Sequence, residues 1–189
     1  MPLNAGDIAF VGFNADANDD FAFVALTDIA VGETITFTDN EWDGSAFNTG
    51  EGGFTWTASA LVPAGTIVVF NNTSSAAGKT VSTGTLSTGA IALGNSDESI
   101  YAYQGAIGAP TFLSAVSNNA FGTTAAGSLT NTGLTAGVNA IGLPGNIDVA
   151  VYNGDRTELA SFADYRTAIN NPANWLTDDG TGDQSANGI

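Results

Sequence analysis

Short runs of β-forming residues, each followed by turn-forming residues, constrain the fold of this chain more than any other feature of its sequence. Residues 34–38 read Thr-Ile-Thr-Phe-Thr, and such strict alternation is expected of a strand with one buried face. Residues 54–57 repeat the pattern as Phe-Thr-Trp-Thr. Turn signals follow the runs, as at residues 63–65 (Pro-Ala-Gly) and 153–155 (Asn-Gly-Asp). Their spacing of about ten residues is typical of a two-sheet β-sandwich.

The same patterns locate the individual strands. We predict strands at residues 7–13, 21–26, 34–38, 54–57, 66–70, 90–93, 99–103, 111–116, 139–143 and 147–152. With 189 residues, of which 43% are hydrophobic, the chain is long enough to form one domain with a substantial core. The predicted fold class is therefore all-β, a single two-sheet antiparallel sandwich spanning residues 1–189.

One segment near the C-terminus departs from the β pattern. Residues 157–171 carry apolar side chains, including Phe162 and Ile169, at roughly helical spacing, and they end just before a proline. Thr157 is a suitable N-cap. We therefore predict one short helix at about residues 157–171, packed across an open end of the sandwich and anchored by Trp175, followed by a short acidic tail.

The charge balance excludes several classes of partner. Three basic residues stand against 19 acidic ones, which gives a formal net charge of -16. Nucleic acid is excluded because phosphate binding needs clustered lysines and arginines. No apolar run approaches the length of about 20 residues needed for a membrane span, so no membrane insertion is expected. Divalent cations are the natural counter-ions of such a chain.

Cysteine and histidine are both absent. The chain therefore lacks thiol nucleophiles, the commonest general base and the commonest ligand of transition metals. Paired carboxylates can also serve a glycosidase, but no arginine or histidine stands near them in the sequence to position a substrate. The sequence therefore predicts a non-catalytic protein.

The first candidate site is a loop between two predicted strands. Asn14, Asp16, Asn18 and Asp20 fall at every second position, with Asp19 beside them. Calcium binds six to eight oxygen ligands, and alternate residues of a tightly turning loop can direct their side chains at one ion. The alternative is a hairpin loop whose Asn and Asp residues were selected for Asx turns and positive φ.

The second candidate site directly follows a predicted strand. Asp39, Asn40, Glu41 and Asp43 lie within five residues, and Glu51 joins them after a glycine-rich link. Carboxylates this close repel one another unless a cation or water neutralises the repulsion. Asp39, Glu41 and Asp43 are thus further candidate calcium ligands, and a solvated loop is the alternative.

Aromatic residues offer a different kind of site. Trp42 lies within the second acidic cluster, and Trp56 and Trp175 occur elsewhere in the chain. A Trp ring on a loop is suited to stacking on a sugar, which makes Trp42 a candidate ligand-binding residue. The alternative is that all three tryptophans pack in the core or at its ends.

Several segments resemble a known bacterial module. They comprise residues 6–44, 54–70, 134–154 and 168–180, and include FTDNEW at 37–42 and NPANW at 171–175. Together they resemble the N-terminal β-sandwich module of large secreted bacterial proteins, including calcium-dependent proteins of the repeat-in-toxin type. About the first seventy residues are also distantly similar to lamin-tail-like sandwich domains. The resemblance implies an extracellular, cell-surface or matrix location and a non-catalytic role, and it supplies no catalytic residue.

Three functions remain open from the sequence. The leading hypothesis is a secreted structural protein that self-assembles into a filament, surface layer or biofilm matrix, with calcium screening its charge. Scarce lysine leaves strand edges without their usual protection, which favours this hypothesis. The second is a calcium-dependent carbohydrate-binding or adhesion module that binds polysaccharide through Trp42. The third, a metal-assisted hydrolase acting through Asp39 and Glu41, has little support.

Overall fold

The computed structural model describes residues 2–122 and 125–187, and these form two β-sheets packed face to face with one α-helix. The predicted all-β sandwich with a short helix is thereby confirmed. The strands are β1 (Ile8–Asn14), β2 (Asp20–Ala25), β3 (Thr34–Thr38), β4 (Gly53–Thr57), β5 (Ile67–Asn71), β6 (Thr80–Val81), β7 (Thr85–Leu86), β8 (Ser99–Ala106), β9 (Ala109–Ser117), β10 (Ala140–Gly142), β11 (Val149–Tyr152) and β12 (Trp175–Asp178).

Each sheet contains six of the described strands. Sheet 1 has the order β12-β11-β1-β2-β5-β6, and sheet 2 has the order β10-β9-β8-β3-β4-β7. Neighbouring strands are antiparallel except β9 and β10, which pair in parallel. The short segment that contains β6 and β7 passes from one sheet to the other and joins them along one side. Strands β12 and β10 are the outer strands on the other side.

The core between the sheets is built largely of phenylalanine. Phe10, Phe21 and Phe23 from sheet 1 face Phe37 from sheet 2, and Phe70 completes the group. Their ring centroids lie 4.6 to 6.2 Å apart, within the range at which aromatic pairs add to the stabilisation from burial. Every second residue of β3 and β4 faces these rings. This is the reason for the alternation of apolar residues and threonine from which both strands were predicted.

The helix, α1, is shorter than predicted and spans Phe162–Ile169. Ser161, not Thr157, is its N-cap and accepts a hydrogen bond from the Asp164 N–H. Trp175 anchors its end as expected, because the indole N–H donates to the Ile169 carbonyl at 2.7 Å. Within the described residues, no helix is long and apolar enough to cross a membrane.

Other segments also differ from the sequence-based expectation, since β6, β7 and β12 were not predicted. Residues 90–93 form no strand: the Ile91 N–H donates to the Thr73 carbonyl and the Ala92 N–H donates to the Asp39 carboxylate, so neither belongs to a ladder. The described part of the C-terminal tail packs back onto the domain. There Gln184–Asn187 forms a 3-10 helix, and the Gln184 N–H donates to Asp16 at 2.8 Å.

Strand register brings both predicted acidic loops to one end of the sandwich. In sheet 1, Asn14 pairs with Asp20, which places the β1–β2 loop at this end. In sheet 2, Thr38 pairs with Gly53, which places the β3–β4 loop at the end of its sheet. The Asp19 carboxylate lies close enough to Asp39 for their charges to interact. We call this end of the molecule the acidic end.

Candidate functional site

Three glutamates from different parts of the chain meet at the acidic end. Glu41 and Glu51 lie in the β3–β4 loop, and Glu98 immediately precedes β8. One carboxylate oxygen from each lies within 4.8 Å of the others. In the part of the chain that the structure describes, these residues are the one group of three or more acidic side chains arranged in this way. We call them the glutamate cluster.

Asp39 holds the loops that carry the glutamate cluster. Its side chain is buried at the end of β3, where Oδ1 accepts the Gly52 N–H at 2.6 Å and Oδ2 accepts the Ala92 N–H at 2.9 Å. Burial raises the pKa of Asp39, and the two backbone N–H groups oppose that rise. Asp39 thus joins three segments of chain and adds negative charge close to the cluster.

Gly52 is required where the two sides of this loop approach each other. A Cβ atom at this position would overlap the Ala90 carbonyl oxygen. Only glycine permits the backbone to come this close. The glycine-rich link before β4 therefore has a structural cause, which is the tight contact that brings Glu51 back to Glu41.

Glu41 and Glu51 interact directly through their carboxyl groups. The Asn48 side-chain amide also donates to Glu41 Oε2. Partial burial, together with the negative charges of Glu41 and Asp39, raises the pKa of Glu51 to about 7. Burial likewise raises the pKa of Glu41. Near neutral pH, two carboxyl groups this close, such as those of Glu41 and Glu51, are expected to share one proton.

Glu98 is the member that the sequence analysis did not identify as a site residue. It is buried, with Oε2 accepting the Gly94 N–H at 2.8 Å and Oε1 accepting the Ser99 N–H at 3.1 Å. Burial raises its pKa to about 8, with smaller contributions from Asp39 and Glu51. In the sequence, Glu98 is marked only as an acidic residue just before a strongly apolar strand. Acidic residues are common at such positions because turns precede strands, so the pattern does not indicate a site.

The geometry of the glutamate cluster suits a hard divalent cation. Calcium binds oxygen at about 2.3–2.6 Å, so ligand oxygens on opposite sides of one ion lie about 4.6–5.2 Å apart. The separation of up to 4.8 Å between the glutamate oxygens fits this span. Among the described residues, Glu41, Glu51 and Glu98 are thus the ones whose spacing matches that of carboxylate ligands around one cation. Of the predicted ligands, Glu41 belongs to it and Asp39 supports it.

The predicted ligands in the β1–β2 loop are directed at different partners. The Asn14 side-chain amide donates to the Asn18 carbonyl at 3.0 Å and to Asp20 Oδ2 at 3.1 Å. Asp20 Oδ1 accepts the Asn72 N–H at 2.8 Å. These contacts close the hairpin and fix it to the end of β5, which is the role expected of Asn and Asp in turns.

Asp16 and Asp19 fasten the same loop to other segments. Asp16 accepts the Asn95 side-chain amide at 3.1 Å and the Gln184 N–H at 2.8 Å. Asp19 is buried, and this burial raises its pKa although Ser74 and Leu93 donate hydrogen bonds to it. The structure therefore brings Asp19 towards Asp39 but does not gather the oxygen atoms of the β1–β2 loop around one point.

Asp43 lies outside the glutamate cluster. It is exposed, and its Oδ1 accepts the backbone N–H groups of Ser45 at 2.7 Å and Ala46 at 2.8 Å. Hydrogen bonds from Ala46 and Ser45 lower its pKa. These contacts identify Asp43 as the residue that stabilises a turn in the β3–β4 loop.

Trp42 is enclosed by other residues. Only 6% of its surface is exposed, and its indole N–H donates to the Thr130 carbonyl at 2.8 Å. Phe47 and Phe112 each place a ring centroid 5.1 Å from that of Trp42. A sugar would reach the indole face only after the loop segment that carries Phe47 moved away.

Comparison of the chain with protein-family models, curated proteins and solved structures finds no significant match.

Proposed function

We propose that this chain is a secreted, non-catalytic structural protein that self-assembles through an edge strand into an extracellular filament, surface layer or biofilm matrix, with calcium bound at the acidic end. The observation that carries the proposal is the outer strand β12. It presents a strand edge with Leu176 43% exposed beside it. Unpaired edges accept a strand from another subunit, and a head-to-tail contact of this kind propagates into a fibre.

The two sides of the sandwich differ in how their edges are protected. On one side, β6 and β7 belong to a single short segment, and Lys79 directly precedes β6. Lysine at an edge opposes unwanted strand pairing, but the Lys79 ammonium group donates to the Ala76 and Gly89 carbonyls, so this side is protected by the closing segment itself. On the other side, neither β12 nor β10 contains lysine or proline. Neither outer strand on that side therefore contains one of these protective residues, and Pro172 lies three residues before β12.

The hydrogen-bond pattern indicates which backbone groups β12 offers. Tyr152 pairs with Trp175, and the Asn153 N–H donates to the Asn174 carbonyl just beyond that pair. The Trp175 N–H is directed away from β11, towards Pro172. Because backbone direction alternates along a strand, the Thr177 N–H also points away from β11. It is the central donor of the outer edge.

Calcium enters the proposal through the charge of the molecule. With a net charge of -16, two copies repel each other at low ionic strength. A cation at the glutamate cluster lowers that repulsion and fixes the loops of the acidic end. Extracellular calcium sites bind in the range of about 0.1–1 mM, which is why an extracellular location belongs to the same proposal.

Substitution at Thr177 tests the edge strand. Thr177→Pro removes the outward N–H while keeping the bonds between β11 and β12, so we expect about tenfold less protein in particles in millimolar calcium. Thr177→Val is the matched control, since it keeps both the N–H and the shape of the side chain. Light scattering and negative-stain electron microscopy measure the outcome. Equal assembly by the two variants would exclude β12 as the contact.

A groove on the outer face of sheet 2 favours a second candidate, polysaccharide binding. It has a volume of about 470 Å³ and is lined by residues with hydroxyl groups, including Thr36, Thr55 and Ser87, and also by Glu51. Hydroxyl and carboxylate groups are suitable partners for sugar hydroxyls. Retention on immobilised polysaccharide that is reduced by Thr36→Val would support this function, and a lack of retention at any calcium concentration would contradict it.

A further inference from the structure

Sheet 1 is apolar on both of its faces. In β2, Phe21 and Phe23 face the core, while Ala22 and Val24 face the opposite side. Strand β5 likewise has Val69 on the outer face. Strands of sheet 2 alternate instead with threonine. A sheet that is apolar on both faces is normally covered on both faces, and α1 covers only part of the outer one.

The uncovered part forms a groove between α1 and the sheet. It has a volume of about 300 Å³, at the lower end of the range for small-molecule sites. Its floor is made by aliphatic side chains such as Val24, Val69 and Val151. Phe162 and Ile67 stand at its rim, 44% and 43% exposed. Large apolar side chains this exposed beside an apolar groove mark a surface suited to a ligand.

One of the three basic residues of the chain lines the groove, and a second lies on α1. Arg156 lines the groove, and Arg166 follows Tyr165, which also lines it. Across residues 2–122 and 125–187, neither arginine forms an ion pair with a carboxylate. Arg156 donates to the Tyr152 carbonyl at 2.5 Å, and the Arg166 side chain lies against Gly6. Positive charge is therefore available beside an apolar groove in a strongly acidic protein.

Asp155 is the acidic residue that lines the groove, and its carboxylate accepts hydrogen bonds from the backbone. Asp155 Oδ1 accepts the backbone N–H groups of Thr157 and Glu158, each at 2.8 Å. Tyr152 and Tyr165 also line the groove, and their hydroxyl groups contact the Asp155 carbonyl and the Leu159 N–H. The guanidinium group of Arg156 is exposed and retains further donors for an anion.

We propose that this groove binds a single-chain amphiphile with an anionic head, such as a long-chain carboxylate. The aliphatic chain would lie along the valine floor beneath Phe162, and the head group would pair with Arg156. One ligand of this class accounts for both the unfilled apolar surface and the unpaired positive charge. The acidic end of a second copy would meet the arginine, but it offers no long apolar chain to fill the groove.

Isothermal titration with three ligands tests the proposal on the full chain. Sodium dodecanoate is expected to bind with a stoichiometry of about one and at least about tenfold more tightly than dodecyltrimethylammonium, because only the anion pairs with a guanidinium. Dodecyl maltoside, which has the same chain and a neutral head, is expected to bind with intermediate affinity. Equal affinity for the anion and the cation would overturn the proposal.

Three variants locate the site. Arg156→Gln, at an exposed residue, is expected to lower dodecanoate affinity about tenfold and leave dodecyl maltoside binding unchanged. Ala22→Phe fills the groove and is expected to abolish binding of all three ligands. Lys79→Gln removes a positive charge that does not line the groove and should change nothing. Unaltered dodecanoate binding by the first two variants would place the site elsewhere.

Sedimentation of the same samples separates this site from subunit contacts. The proposal predicts that Ala22→Phe assembles in calcium as the wild type does, because assembly is assigned to β12. If Ala22→Phe instead blocks assembly and the wild type binds no amphiphile, the groove is an interface between copies and the amphiphile proposal is wrong. If β12 is not the contact between subunits but the groove does bind amphiphiles, the amphiphile titrations will still give the results predicted above.

Discussion

Glu51 and Glu98 retain protons at pH values where ordinary carboxyl groups are ionised, with pKa values raised to about 7 and about 8. In the unfolded chain both groups titrate near the ordinary glutamate value of 4.5. The folded state therefore binds more protons between these values. Stability must consequently fall as the pH rises from about 4.5 through about 8, in the absence of a cation.

Glu51→Gln tests this assignment. The glutamine amide donates to Glu41 as the shared proton does, so the variant mimics the protonated pair at every pH. In chelator at pH 8.5 we expect it to be more stable than the wild type by about 1 kcal/mol, or about 3 °C in Tm, after discounting for solvent screening. At pH 5 the variant and the wild type should have the same melting temperature. Differential scanning calorimetry measures both.

Glu158→Gln is the matched control for that experiment. It also removes one negative charge, but Glu158 is exposed and lies outside the glutamate cluster. We expect its melting temperature to follow that of the wild type across the pH range. A stabilisation equal to that of Glu51→Gln would mean that net charge, and not the cluster, determines the pH dependence.

The sequence predicted part of this site, for reasons visible in single residues. Asp39 and Glu41 follow an alternating strand, so their position at a strand end was evident. Glu51 is close to them in sequence and was recognised as a neighbour. Glu98 is 47 residues further along the chain than Glu51, and it joins them only because β8 pairs with β3. No single-sequence pattern encodes that pairing.

Among the secondary-structure elements, α1 began later than the sequence predicted. Asp155 binds the N–H groups of Thr157 and Glu158, which satisfies them in a turn and leaves Ser161 as the N-cap. Both threonine and serine are good N-caps, so the choice between them depended on this turn. The short strand β12 was missed because its four residues follow a helix and a proline, where a loop is the usual reading.

Ser161→Ala tests the position of the N-cap. Loss of the hydroxyl that accepts the Asp164 N–H is expected to lower the free energy of unfolding by about 1 kcal/mol. Thr157→Ala, at the N-cap predicted from the sequence, serves as the control and should have almost no effect. Chemical denaturation followed by tryptophan fluorescence measures both. If Thr157→Ala lowers the free energy of unfolding more than Ser161→Ala does, the helix begins at residue 157 and the assignment of Ser161 as N-cap is wrong.

At the scale of the whole molecule, charge and apolar surface are separated. The acidic loops of both sheets meet at one end, and Arg156 lines the groove on the outer face of sheet 1. The sequence predicted the total charge and the two-sheet architecture. It did not predict this separation, because the distribution of charge depends on strand order and register. The open edge of β12 is the surface through which we propose that copies of the chain associate.

Calcium-dependent association is the central claim, and sedimentation velocity at pH 8 tests it most directly. One preparation is measured in chelator and again with millimolar calcium. The account predicts a single slow boundary of monomer in chelator and large species once calcium is added, with monomer restored by excess chelator. A single slow boundary in both conditions would contradict the account and leave polysaccharide binding as the function to pursue.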